Sequence, residues 1–235
     1  MCSLLLAWKA IDNAPILLAV NRDEAYDRSA TGPRMLNADP CAIAPVDERA
    51  GGTWLGVNDH ELVVAIANRD DGPEGERSRG QLVRDLLSLD TADEARTFLA
   101  SVLSEHTYAG FHLLLIDPED AFYVTWNGEL DGRELTSGVH VLDNVGLDED
   151  SDIPRSVRGE LEPTHGAAPQ DWLDRSIELL SDHDNDLCHH GDGYGTVSSS
   201  TIAIETGSTH TIEFRHCNGP PCEGTFETTT LDSHL

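Results

Sequence analysis

The chain has 235 residues, of which 39% are hydrophobic, so a globular protein with a sizeable buried core is expected. Forty-three Asp and Glu against fifteen Lys and Arg give a formal net charge of −28, and no basic stripe is present to neutralise phosphates, which argues against a nucleic-acid partner. Lys9 is the only lysine, and such an acidic, lysine-poor surface is like that of proteins from salt-loving organisms, where multimolar salt shortens the Debye length to about 3 Å and screens self-repulsion.

The opening "MCSLLLAWKA" has neither a basic leader nor a small-residue cleavage site, and no apolar run reaches the roughly 18 residues of a membrane span. No membrane span and a cytoplasmic location are expected. "CSLLLAWK" and "APILLAVN" read as a hairpin of mostly buried strands around "AIDNA". The first hairpin runs straight into Asn21, Arg22, Asp23 and Glu24. A loop is predicted through Asp27 to Pro40, then a second hairpin from Thr53 to Val57 and Leu62 to Ala67, again ending in Asn-Arg-Asp.

Apolar residues at helical spacing predict helices over Ser78 to Leu89 and Thr91 to Leu103, the latter behind a Thr cap with Glu94 three residues on. Strands follow at Phe111 to Ile116, Ala121 to Trp126 and Val139 to Leu142, then helices at Arg155 to Leu161 and Pro169 to Leu180. A final meander comprises "VSSSTIAIE", "THTIEFRH" and "GTFETTTL". Hairpins interrupted by helical pairs indicate an α+β class with helices packed on antiparallel sheets. A single domain over 1–235 is expected.

Several motifs fail. The acids from Asp182 to Asp186 lack the glycine and final Glu of a calcium loop, and "GDGYG" has neither the spacing nor the following helix of a dinucleotide site. Cys188, His189, His190, His216, Cys217 and Cys222 include metal-ligand types, but their spacings match no recognised finger or haem attachment sequence. No metal and no cofactor are therefore predicted. Five cysteines, an odd number without an export signal, suggest reduced thiols.

Cys2 carries the strongest chemical signal. A small second residue permits removal of Met1, leaving a thiol beside a free α-amine that can accept its proton and return it to a leaving group. As a compact apolar residue, Cys2 would serve equally to begin a buried strand.

The ordered set Cys2, "NRDE" (21–24), "GGTWLGVN" (51–58), "IANRD" (66–70), "SRGQLV" (78–83), "YAGFHLLLID" (108–117) and "YGTVSSS" (194–200) resembles the NRDE family, also called the transport and Golgi organisation protein 2 family. The resemblance implies a four-layer αββα N-terminal nucleophile hydrolase-like fold, with two antiparallel sheets between helical layers. It also implies a distant likeness to choloylglycine hydrolases and penicillin acylases, which cleave amide bonds with an N-terminal cysteine.

Their Arg-Asn-x-Asp motif is best matched with Asn21 on its Asn and Asp23 on its Asp, which puts Val20 where their Arg stands. Residues two apart share a strand face, so Asn21 and Asp23 would point together and Arg22 away. On this resemblance Cys2 is the nucleophile, Asp23 holds the α-ammonium, Asn68 and Asn144 donate to the oxyanion, and Arg22 is a further catalytic candidate. Asn21, Glu24, Tyr194 and Ser199 are candidates for substrate binding. One departure is Val197, which stands where the family commonly has Arg. Two functions follow: hydrolysis of a linear amide or related acyl bond in a small-molecule substrate, or non-catalytic binding and trafficking of haem or a lipid on the same fold.

Overall fold

The computed structural model describes residues 3–148, 152–184, 187–206 and 210–233. β1 (Ser3–Ile11) and β2 (Ala14–Ala25) form the expected opening hairpin, and Asn13 takes a φ of 61° that a turn asparagine tolerates. β2 does not stop at Val20: it continues through the polar quartet to Ala25.

β3 (Ala30–Ala38) and β4 (Cys41–Asp47) make a hairpin where the sequence predicts a loop. Gly32 and Pro33 suggest a break, but β3 is the edge strand of its sheet, and the register shifts between Thr31 and Arg34 to absorb both residues. β5 (Leu55–Asn58) and β6 (Val63–Asn68) are the expected second hairpin.

Helix α1 (Arg79–Leu86) starts at Ser78, whose side chain accepts from the Gly80 N–H; α2 (Ala92–Glu105) starts at Thr91, which accepts from the Glu94 N–H. β7 (Phe111–Ile116) and β8 (Ala121–Trp126) fall where expected. β9 (Leu130–Glu134) was not legible, because all five of its residues are exposed and it is held by backbone pairing with β8 at the sheet edge. After β10 (Gly138–Leu142) come α3 (Asp152–Leu161) and α4 (Pro169–Leu180), the latter with Pro169 in its first turn. β11 (Tyr194–Thr206), β12 (His210–Cys217) and β13 (Phe226–Asp232) close the chain as the expected meander.

The strands form two antiparallel sheets, which with the helices make the α+β class read from the sequence. One has six strands in the order β10-β1-β2-β11-β12-β13; the other has seven, β3 to β9 in sequence order. The chain divides into two compact units around them, Met1–Arg28 with Ser137–Asp232, and Ser29–Thr136 with Ser233–Leu235. In the first, Leu5, Leu17, Ala19, Val141 and Ala203 of the sheet pack with Val157, Leu161, Trp172, Leu173 and Leu180 of α3 and α4. In the second, Val64, Phe111, Leu113 and Leu115 pack with Leu82, Leu86, Leu99 and Val102 of α1 and α2. Each such leucine contributes about 1.5–3 kcal/mol on burial.

The "GGTWLGVN" and "SRGQLV" motifs meet in the second unit. A Cβ on Gly52 would lie 2.3 Å from the Gly80 carbonyl carbon, so only glycine permits the approach that brings the Thr53 N–H to the Gly80 carbonyl at 3.0 Å. Asn58 ends that strand fully buried. Its Nδ2 donates to the carbonyls of Leu87 (3.2 Å) and Leu89 (2.7 Å) just past α1, and its Oδ1 accepts from the N–H groups of His60 (3.1 Å) and Leu62 (3.0 Å).

Candidate active site

β2 is flanked by β1 and β11, so its polar end lies inside the sheet and not at a solvated margin. Asn21, Arg22 and Asp23 are 0%, 5% and 3% exposed. Burying two ionisable groups costs free energy unless partners compensate, which makes the quartet a candidate for chemistry and not for solvation.

The register divides the quartet between two faces. Asn21 pairs with Ser199 and Asp23 with Thr196, whereas Arg22 pairs with Ser198. Asn21 donates from Nδ2 to the carbonyls of Leu180 and Leu187, both at 2.8 Å, and so ties the end of α4 and the loop after it to the strand. Asp23 lies on the same side, where its Oδ1 accepts from the Thr196 hydroxyl at 2.6 Å; Thr196 Oγ1 in turn accepts from the His189 N–H at 2.9 Å. The Tyr194 hydroxyl donates to the Asp23 carbonyl at 3.1 Å. Burial pushes the Asp23 carboxyl above its ordinary range, against the opposing pull of the Thr196 hydrogen bond. The expected sharing of a face by Asn21 and Asp23 thus appears in their contacts, while Thr196 and His189, which support Asp23, were not among the predicted residues.

On the opposite side, the Arg22 guanidinium lies 3.6 Å from Glu24, which also pairs with Arg28 at 3.0 Å and accepts from the Ala25 N–H. Asp23 and Glu24, being on opposite faces, cannot chelate one cation together. Ser198 is buried on the Arg22 side, and its hydroxyl has no hydrogen-bond partner among the described residues. Val197 lies where the β11 register shifts between Thr196 and Ser198, so the position where the family commonly has Arg falls at a bulge. Ser199 donates to the Val20 carbonyl at 3.3 Å.

Asn144 follows β10 in a turn closed by Asp143, whose Oδ1 accepts from the N–H groups of Val145 and Gly146. Because Leu142 pairs with Leu4 in antiparallel register, that turn lies toward the start of β1. Nearby, burial works against the Asp148 carboxylate, but His140 at 2.7 Å, the Val141 N–H and Arg158 outweigh it and hold the carboxyl below its ordinary range. Asn68 is exposed at the end of β6, in the second unit. Cys2 lies outside the described residues.

A family model described as Transport and Golgi organisation 2 matches residues 1–185. The chain belongs to that family. Transport and Golgi organization protein 2 homologs from Bos taurus and Homo sapiens are 30% and 31% identical to it over 144 residues, covering 57% of this chain and 51% of each relative. The chain thus spans about half the length of the curated relatives it matches. Among solved structures, penicillin V acylase from Agrobacterium tumefaciens aligns with TM-score 0.65 and 12% identity, covering 98% of this chain and 86% of that one. The C2A mutant of conjugated bile acid hydrolase from Clostridium perfringens aligns with TM-score 0.52 and 11% identity over 99% and 92% of the two chains. An N-acylethanolamine-hydrolyzing acid amidase ortholog from Caenorhabditis elegans gives 0.51 and 14% over 86% and 92%. These likenesses show the fold, which this Transport and Golgi organisation 2 family member shares with N-terminal nucleophile hydrolases.

Behind the "YGTVSSS" strand of this family member, Ser200 pairs with His216, and the hydroxyl lies 2.9 Å from its Nδ1. Burial lowers the His216 pKa to about 4, so the folded chain holds a neutral imidazole where the unfolded chain takes up a proton near pH 6.5. Stability from this site is complete above about pH 6.5 and is lost as pH falls toward 4, a total of about 3 kcal/mol. A His216→Gln variant is expected to lose less stability than the parent between pH 7 and pH 4.5 in urea denaturation. Equal losses would show that His216 is not held neutral.

Proposed function

We propose that this chain is a cysteine N-terminal nucleophile hydrolase that cleaves a linear amide or related acyl bond in a small molecule, with Cys2 exposed by removal of Met1. The observation that carries the reading is the pair of buried ionisable groups, Arg22 and Asp23, at the end of β2 that adjoins the start of β1, immediately after Cys2 in the sequence. The fold likeness to proteins named as acylase, bile acid hydrolase and acid amidase supports it. Fold alone does not assign chemistry.

In this mechanism the Cys2 thiol attacks the acyl carbon as its proton passes to the α-amine, and the ammonium then protonates the leaving amine. Water adds to the resulting thioester and releases the acid and the thiol. Asp23 favours the charged form of the amine, and Arg22, on the other strand face, favours a thiolate. Asn144, in the turn that follows β10 toward the start of β1, is assigned to the oxyanion, where one donor is worth about 3 kcal/mol. Asn21, Glu24, Tyr194 and Ser199 shape the surroundings in which the substrate sits. Cys41, Cys188, Cys217 and Cys222 are free thiols, which fits a reducing compartment such as the cytoplasm.

Intact mass and limited alkylation of the native protein test the assignment. Burial pushes the thiols of Cys41 and Cys217 upward, and burial together with Cys222 pushes Cys188 up to about 12, so all three are poorly ionised at neutral pH. The expected result is a chain beginning at Cys2 whose first thiol is labelled before those three. A retained Met1 would remove the amine base and leave the haem- or lipid-binding reading in its place.

A further inference from the structure

The loop between α4 and β11 meets the turn between β12 and β13 at a cluster of four side chains with soft or borderline donor atoms. Cys188 Sγ lies 3.4 Å from Cys222 Sγ and 3.6 Å from His190 Nε2, and His190 Nε2 lies 3.3 Å from Cys222 Sγ. His183 completes the group, with all four ligand atoms within 4.8 Å of one another. With Zn–S near 2.3 Å and Zn–N near 2.0–2.1 Å, the edges of a tetrahedral zinc site are about 3.3–3.8 Å. The two S–N separations, 3.6 and 3.3 Å, lie close to the edge of about 3.5 Å for such a pair, and the 3.4 Å S–S separation is somewhat below its edge of about 3.8 Å. The His183 Nδ1 lies 3.0 Å from the Cys188 carbonyl, so Nδ1 carries the proton and Nε2 keeps its lone pair, the arrangement by which metal-bound histidines are oriented.

We infer that His183, Cys188, His190 and Cys222 bind a zinc ion as a structural centre. Two thiols lose their protons, two neutral imidazoles each give a nitrogen lone pair, and the ion with two thiolates is neutral overall; two protons are released to solvent. A closed set of four protein ligands leaves no open position for a substrate or water, which makes the centre a clasp and not a catalyst. Two thiolates and two imidazoles select zinc over magnesium or calcium, which prefer oxygen ligands.

The clasp joins two segments that the strands alone leave separate. It fixes the loop carrying His189, whose backbone N–H and carbonyl both bond to Thr196, the residue that bonds Asp23. No finger-like spacing marks it, because Cys222 arrives from a turn 32 residues beyond His190.

The test uses the full chain, stripped with a chelator and reloaded with Co(II) as a spectroscopic probe for zinc. The expected result is one metal ion per chain, with the visible bands of tetrahedral cobalt and thiolate charge transfer. Cys222→Ser lies at an exposed position and is expected to leave the fold intact while weakening binding by more than about 100-fold. His190→Ala should do the same, and Cys41→Ser, in the other unit, should not. Octahedral spectra, or equal binding by parent and Cys222→Ser, would overturn the site. So would a Cys188–Cys222 disulfide found by peptide mapping of acid-quenched cells.

Discussion

An Asp23→Asn variant is expected to hydrolyse its acyl substrate on the order of 10²–10⁴-fold more slowly than the parent while remaining folded. Asn has nearly the same volume and still presents an oxygen to the Thr196 hydroxyl, which donates to Asp23 at 2.6 Å. What it lacks is the negative charge that holds an α-ammonium. A second variant separates charge from packing. Burial raises the Asp23 carboxyl and the Thr196 hydrogen bond opposes that rise, so Thr196→Val should raise it further and move the acid limb of kcat/KM to higher pH. Arg22→Lys keeps its charge and is expected to cost less than Asp23→Asn, although it loses the planar fork of donors. A loss below about tenfold in Asp23→Asn, measured as kcat/KM across pH, would remove Asp23 from the proton relay. Equal losses in Asp23→Asn and Arg22→Lys would mean that the reaction depends as much on the Arg22 face.

The largest stability effect is expected at Asn58. Truncation to Ala removes four hydrogen bonds and leaves the carbonyls of Leu87 and Leu89 and the N–H groups of His60 and Leu62 without their side-chain partner. At about 1–3 kcal/mol for a buried group left unsatisfied, with water recovering part of the loss, Asn58→Ala should cost about 4 kcal/mol. Asn58→Asp keeps the acceptor side and loses both donors, placing a carboxylate against two carbonyls, and should be no milder. Urea denaturation followed by tryptophan fluorescence measures both. A cost under about 1 kcal/mol would show that water replaces the side chain at little expense.

Much of the architecture was legible because its elements bury one face with a clear period. α4 places Trp172, Leu173, Leu179 and Leu180 inward, and β7 and β8 are apolar runs bounded by turns, so their positions could be read directly. β3 and β9 were not legible. One holds Gly32 and Pro33 at a sheet edge, the other exposes every side chain, and in both cases backbone pairing with the adjacent strand decides what side-chain composition does not. The site divides by sequence distance instead. Asn21 and Asp23 were readable as a pair because alternation in a strand is local. Thr196 and His189 were not, since their approach to Asp23 depends on the β2–β11 register across more than a hundred and fifty residues of sequence. Cys188 and His190 are neighbours in the sequence, whereas His183 sits in an acidic stretch and Cys222 is brought in only by the turn after β12.

The assembly of the first unit from Met1–Arg28 and Ser137–Asp232 bears on how the chain leaves the ribosome. The β1–β2 hairpin is synthesised well before β11, and the outer edge of β2 is covered only when β11 emerges. At about 5–20 residues per second that wait is roughly 10–35 s, during which Leu17, Leu18 and Val20 have no sheet to complete. The second unit, nearly all of it continuous from Ser29 to Thr136, can fold within this interval. Arg22, Asp23 and Glu24 place charge at the end of the apolar β2 run throughout that wait. Charge beside an uncovered apolar strand edge opposes its pairing with strands of other chains.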